Sequence, residues 1–131
     1  MKILLSTFIA IVLSGTLALN AAEKSAKPRK GTLRHVVAFK FKSTATPEQV
    51  QEVVDAFRAL PKQIKQIKAF EWGTNVSPEK HDKGFTHGFV LTFRTAKDRD
   101  DYLVHPAHKE FGSKIGPVLE DVFVVDFWAD K

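Results

Sequence analysis

Leu33 to Lys42 alternates with the regularity of a strand. His35, Val37, Phe39 and Phe41 fall on one side, and Arg34, Val36, Ala38, Lys40 and Lys42 on the other. Both sides carry apolar residues, so a single covering layer does not satisfy this strand. Phe85 to Arg94 repeats the pattern, with Phe85, His87, Phe89, Leu91 and Phe93 opposed to Thr86, Gly88, Val90 and Thr92. Between the two runs the period changes. Val50, Val53, Val54, Phe57 and Leu60 form one helical stripe. Thr46 is placed to cap that helix, with Pro47 at its first position and Gln49 completing a capping box. Pro61 is predicted to end it.

A second strand is predicted over Ala69 to Thr74, followed by a polar loop from Ser77 to Gly84. Thr95 can cap a second helix running to about Val104. Pro106 interrupts the path, and a further short helix is predicted from Ala107 to Ile115, ended by Gly116 and Pro117. In the last strand, Leu119 to Trp128, residues Val122, Val124, Asp126 and Trp128 alternate against Phe123, Val125 and Phe127. The order βαββαβ defines an α+β, ferredoxin-like fold with a four-stranded antiparallel sheet. One face packs on the helices. The other carries Val36, Ala38, Val90 and members of the last strand, and a second copy of the chain is its economical cover.

The chain has 131 residues, and the folded domain is expected over 32–129. Lys2, the apolar run Ile3 to Leu13 and the small residues that follow describe a secretory signal peptide over residues 1–21, cut after Ala21. Export to the periplasm or outside the cell is therefore expected, with no stable membrane insertion after cleavage. With zero cysteines, a lipid-anchored cysteine, a disulfide and a thiolate metal site are all excluded. Residues 22–31 form a basic lead-in with Lys24, Lys27, Arg29 and Lys30, too polar to pack. The formal charge of +5 falls to +4 on losing Lys2 with the signal segment, too mild to argue for nucleic acid. Nor does the chain interleave aromatic and basic residues as a single-strand binder would.

The chemistry-bearing residues are the histidines and the one tyrosine. His35 and His87 sit on strand faces whose neighbours are aromatic, where a polar group must find a partner or line a cavity. His108 can act as a general base, since an imidazole with an ordinary pKa of about 6.5 can take a proton from carbon next to a carbonyl. Tyr102 can donate a hydrogen bond to a developing oxyanion. The bland alternative makes Tyr102 a helix anchor, His108 a helix cap, and His35 and His87 a buried bonded pair. His105 and His108 are three apart, but no acidic residue joins them at ligand spacing, so neither a metal nor another cofactor is expected.

The motifs Arg34-His35-Val36-Val37, Trp72-Gly73, Gly84-Phe85-Thr86-His87 and Asp101-Tyr102-Leu103-Val104-His105-Pro106-Ala107-His108 resemble the stress-responsive A/B barrel (Dabb) family, from about Leu33 to Phe127. The resemblance implies a dimeric alpha-beta barrel, two ferredoxin-like subunits with facing sheets. The family includes a plant polyketide cyclase that closes a ring by an aldol-type condensation. By that likeness Tyr102 and His108 match its catalytic pair, and His35 and His87 match two pocket histidines. Phe57 stands where the cyclase has a tyrosine, and Phe57, Phe89 and Trp72 are expected along the pocket wall. Three readings follow. The chain is a homodimeric binder of a small apolar or carbonyl-containing ligand, a cyclase-like or lyase-like enzyme using His108 and Tyr102, or a stress-associated structural dimer.

Overall fold

The computed structural model describes residues 31–130; the expected signal segment and all of the lead-in but Gly31 lie outside them. The elements run β1 (Leu33–Phe41), α1 (Pro47–Gln63), β2 (Ala69–Thr74), β3 (His87–Phe93), α2 (Ala96–Val104), α3 (Pro106–Ile115) and β4 (Leu119–Trp128). The four strands form one antiparallel sheet in the order β2-β3-β1-β4. This is the α+β ferredoxin-like arrangement, with two helices in the second crossover.

The predicted capping box is present. The Thr46 hydroxyl accepts from the Gln49 N–H at 3.2 Å, and Gln49 Oε1 accepts from the Thr46 N–H at 2.9 Å. Pro61 does not end α1, which continues to Gln63. In the last turn a missing N–H costs one hydrogen bond, and the Ile64 N–H still closes the helix on Leu60 O at 2.8 Å. His105 ends α2 and caps α3, its Nδ1 accepting the Ala107 N–H at 3.1 Å, while Pro106 takes the first helical position, where it needs no partner.

The third strand starts later than its alternation implies. Phe85 belongs to a turn, its N–H donating to Asp82 O at 2.8 Å, and Gly84 supplies the left-handed φ of 87° that the turn requires. The turn carries the Phe85 ring to the opposite face from His87. There it meets Phe123 edge-on at 6.3 Å.

Cross-strand register defines the faces. His35, Val37 and Phe39 of β1 stand opposite Leu91, Phe89 and His87 of β3, and opposite Asp126, Val124 and Val122 of β4. That face receives the helices. Phe57 projects from α1 onto it and meets Phe89 at 4.6 Å, Phe111 at 4.7 Å, Phe70 at 5.1 Å and Phe39 at 5.6 Å. The ring cluster fills the middle of the space between sheet and helices, with Phe39, Phe57 and Phe89 all buried. The other face presents Val36, Ala38 and Val90 together with Phe123, Val125 and Phe127 of the edge strand, and these last three remain about half exposed.

Phe57→Ala removes the ring that joins both layers. Urea unfolding should show a loss of about 3–5 kcal/mol, the range for deleting a buried aromatic side chain.

Candidate functional site

The site forms where α2 and α3 cross the His35 end of β1. His35 is buried because its position on β1 points toward the helices. Its Nδ1 lies 2.6 Å from Asp126 Oδ1, directly opposite on β4, so the ring donates Nδ1–H to the carboxylate. Arg99 of α2 donates to the other carboxylate oxygen through Nη1 and to Asp100 through Nε at 2.7 Å. Tyr102 lies one helical turn beyond Arg99 and is 1% exposed. Its ring centroid is 5.7 Å from His35, 5.2 Å from Phe93 and 4.4 Å from His108.

His108 stands in the first turn of α3, partly buried. Its Nδ1 is 3.1 Å from Leu103 O, so this nitrogen carries the proton and donates it to the carbonyl. The remaining nitrogen, Nε2, then holds the lone pair of a neutral ring. Burial moves the His108 pKa below its ordinary value, helped by the neighbouring His35 and His105 and opposed by the Leu103 bond. The ring is therefore neutral at pH 7. Burial, and then the Asp126 charge, raise the Tyr102 phenol far above its ordinary value, so it stays a proton donor.

His87 stands apart. It pairs with Phe39, four positions along β1 from His35, a separation of roughly 13 Å. The Phe57 cluster occupies the ground between them. At its own end His87 meets Phe41 edge-on at 5.2 Å and lies parallel to Trp72 at 6.4 Å, with Thr86 Oγ1 2.9 Å from its Nδ1. Burial lowers its pKa as well. Trp72 is 39% exposed, with the Arg58 guanidinium 5.6 Å over its ring. The structure thus brings His35, Tyr102 and His108 together, places Phe57 and Phe89 in the core between the two ends, and sets His87 and Trp72 at the far end. A cleft of about 500 Å³ opens at this end, lined by His87 and Trp72 together with Ala38, Phe85, Gly88 and Val90.

Asp126 and Arg99 went unselected in the sequence. An acid on the helix-facing phase of an apolar strand is a readable signal for Asp126. Arg99 sits in the charged run Lys97 to Asp101, where nothing in the spacing separates it from solvated neighbours.

A profile of the Stress Responsive A/B Barrel Domain matches residues 33–129. The chain is similar to the stress-response A/B barrel domain-containing protein HS1 of Arabidopsis thaliana, 37% identical over 98 residues, covering 75% of this chain and 90% of that protein. It is similar to olivetolic acid cyclase of Cannabis sativa, 30% identical over 99 residues, covering 76% and 98%. Among solved structures, the hydroxynitrile lyase from Passiflora edulis superposes with a TM-score of 0.73 at 25% identity, covering 79% of this chain and 97% of that one. Solved structures of this fold at 25% and 27% identity are of dimeric proteins.

A histidine with a depressed folded pKa binds fewer protons folded than unfolded. Its contribution to stability is whole above about pH 6.5 and is lost as pH falls through the folded value. The melting temperature should therefore drop as pH is lowered from 7 toward 5. His108→Asn should show a shallower drop over that window, measured by calorimetry.

Proposed function

Because the chain belongs to the stress-responsive A/B barrel family, we propose that it binds a small carbonyl-containing ligand beside Tyr102, His108 and His35. The observation that carries this reading is the contact of His108 with Tyr102 while the Leu103 carbonyl engages Nδ1. One neutral base and one protonated phenol are thereby presented side by side, an arrangement suited to a carbonyl group and the carbon next to it. The packed Phe57 cluster favours a compact ligand over a long chain, and Phe57 itself offers no hydroxyl to such a ligand.

The same pairing favours catalysis as the second reading. His108 Nε2 would take a proton, and the Tyr102 hydroxyl would stabilise the oxyanion that forms. Relatives that are a cyclase and a hydroxynitrile lyase support chemistry of this kind. A screen of small aldehydes, ketones and cyanohydrins, read by NMR shift changes and by turnover, tests both readings. His108→Ala should abolish turnover, by about a hundredfold or more, while keeping ligand binding. Tyr102→Phe should weaken both. Unchanged turnover in His108→Ala would sink the catalytic role, and absence of shift changes at this end of the sheet would sink the binding reading.

We also propose that two copies pair through the outer sheet face, and that the chain works after export, as its amino-terminal sequence implies. The pairing is supported by the apolar row Val90, Val36 and Val125, and by Phe123 and Phe127 beside it. Phe123→Lys should halve the mass seen in sedimentation velocity; an unchanged mass would move the interface elsewhere.

A further inference from the structure

Gly73 of β2, Gly88 of β3, Ala38 of β1 and Phe123 of β4 stand side by side in one row across the outer sheet face. The first three bring no side chain larger than a methyl, and all three line the cleft of about 500 Å³. A Cβ placed on either glycine meets nothing within 4 Å. Glu71 and Val90 border this hollow on one side, and Phe85 stands on the other. Phe123 is the opposite in shape, a ring 52% exposed. The row thus has a hollow at the β2 edge and a knob at the β4 edge.

A two-fold axis can lay this face on its own copy in two aligned ways. An axis across the strands puts β4 on β4 and β2 on β2. It sets Phe123, Val125 and Phe127 against their own copies and leaves the glycines facing a void, against close packing. An axis along the strands reverses the strand order and keeps the rows. Val36 then faces the partner's Val90, Gly88 faces the partner's Ala38, and each Gly73 lies beneath the partner's Phe123. Glu71, on an edge strand, keeps its carboxylate in water.

We infer that the cleft is a socket for the partner's Phe123, so that each subunit's hollow is completed by a ring from the other. This deepens the pairing through the outer sheet face and rests on it. It also assigns the cleft to the second copy and leaves the Tyr102 and His108 end to the ligand.

The chain has no cysteine, so introduced thiols report this contact directly. Gly73→Cys/Phe123→Cys in the full chain, oxidised with copper phenanthroline, should run as a covalent dimer on a non-reducing gel. Within one subunit the two positions are three strand spacings apart, roughly 14 Å, too far for a disulfide. Each single cysteine variant should stay uncrosslinked. Ready crosslinking of Phe123→Cys alone would place β4 on β4 and overturn the proposal, as would a double variant that crosslinks no better than the singles. Sedimentation velocity gives a second readout. Gly73→Leu fills the socket without meeting its own fold, and should raise the dimer dissociation constant about a hundredfold. Adding Phe123→Ala should recover about tenfold of that loss. Gly73→Val serves the same comparison where the leucine variant does not fold. An unchanged dissociation constant in these filled variants would overturn the socket. If Phe123→Lys dissociates the pair while the socket tests fail, the pairing stands and the socket falls. Phe123→Lys with the mass of wild type would sink both.

Discussion

Phe57 joins the two layers of the domain. Its ring meets one aromatic residue from each of β1, β2, β3 and α3, and so ties the amphipathic face of α1 to the sheet. Interiors of this kind are close-packed, and a cluster of large rings leaves little room for anything else. The consequence reaches the candidate site residues. A filled middle divides the space between sheet and helices into two ends, and the histidines are shared between them. One end holds His35, Tyr102 and His108. The other holds His87 against Phe41 and Trp72.

The first end can hold polar groups because each has a partner matched to it. A carboxylate on the helix-facing side of a strand would be costly alone. Asp126 is satisfied from both sides, and β4 lies at the edge of the sheet, where Arg99 can approach from α2 while part of the pair stays hydrated. The short connection at His105 and Pro106 does the complementary work. It turns the chain between two helices so that Tyr102, at the end of one, faces His108, at the start of the next. The Leu103 carbonyl, near the end of α2, then fixes the tautomer of His108.

Sheet geometry also explains why β4 is apolar on both faces and yet exposed. The helices lie over β1 and β3, leaving Val122 and Val124 partly uncovered on their side, while Phe123, Val125 and Phe127 face outward. An edge strand of this composition invites a partner. Toward the other edge of the outer face, Gly73 of β2 stands opposite Gly88 of β3, and both line the cleft that Phe85 and Val90 also border.

Periodicity and capping, both local properties, made most of the fold readable. The alternation of β1 and β4, the Thr46 capping box and the stripe ending at Leu60 each follow from bond geometry within a few residues. The errors were local conflicts settled by context: α1 continued through Pro61 because a final turn tolerates one lost bond, and Phe85 left its apparent strand face because a turn at Gly84 intervened. Tyr102 and His108 could be singled out as chemical types, and Asp126 carried a weak signal in its phase. Their grouping could not be derived from spacing, because Pro106 breaks the helical register between them. Nor could alternation tell that His35 and His87, on one face of adjacent strands, would stand apart with packed rings between. The sequence by itself determined the elements, their faces and the available chemical groups, since these depend on neighbours along the chain. Only the tertiary structure decided which groups meet, because strand register and the volume of the Phe57 cluster are set by residues distant in sequence.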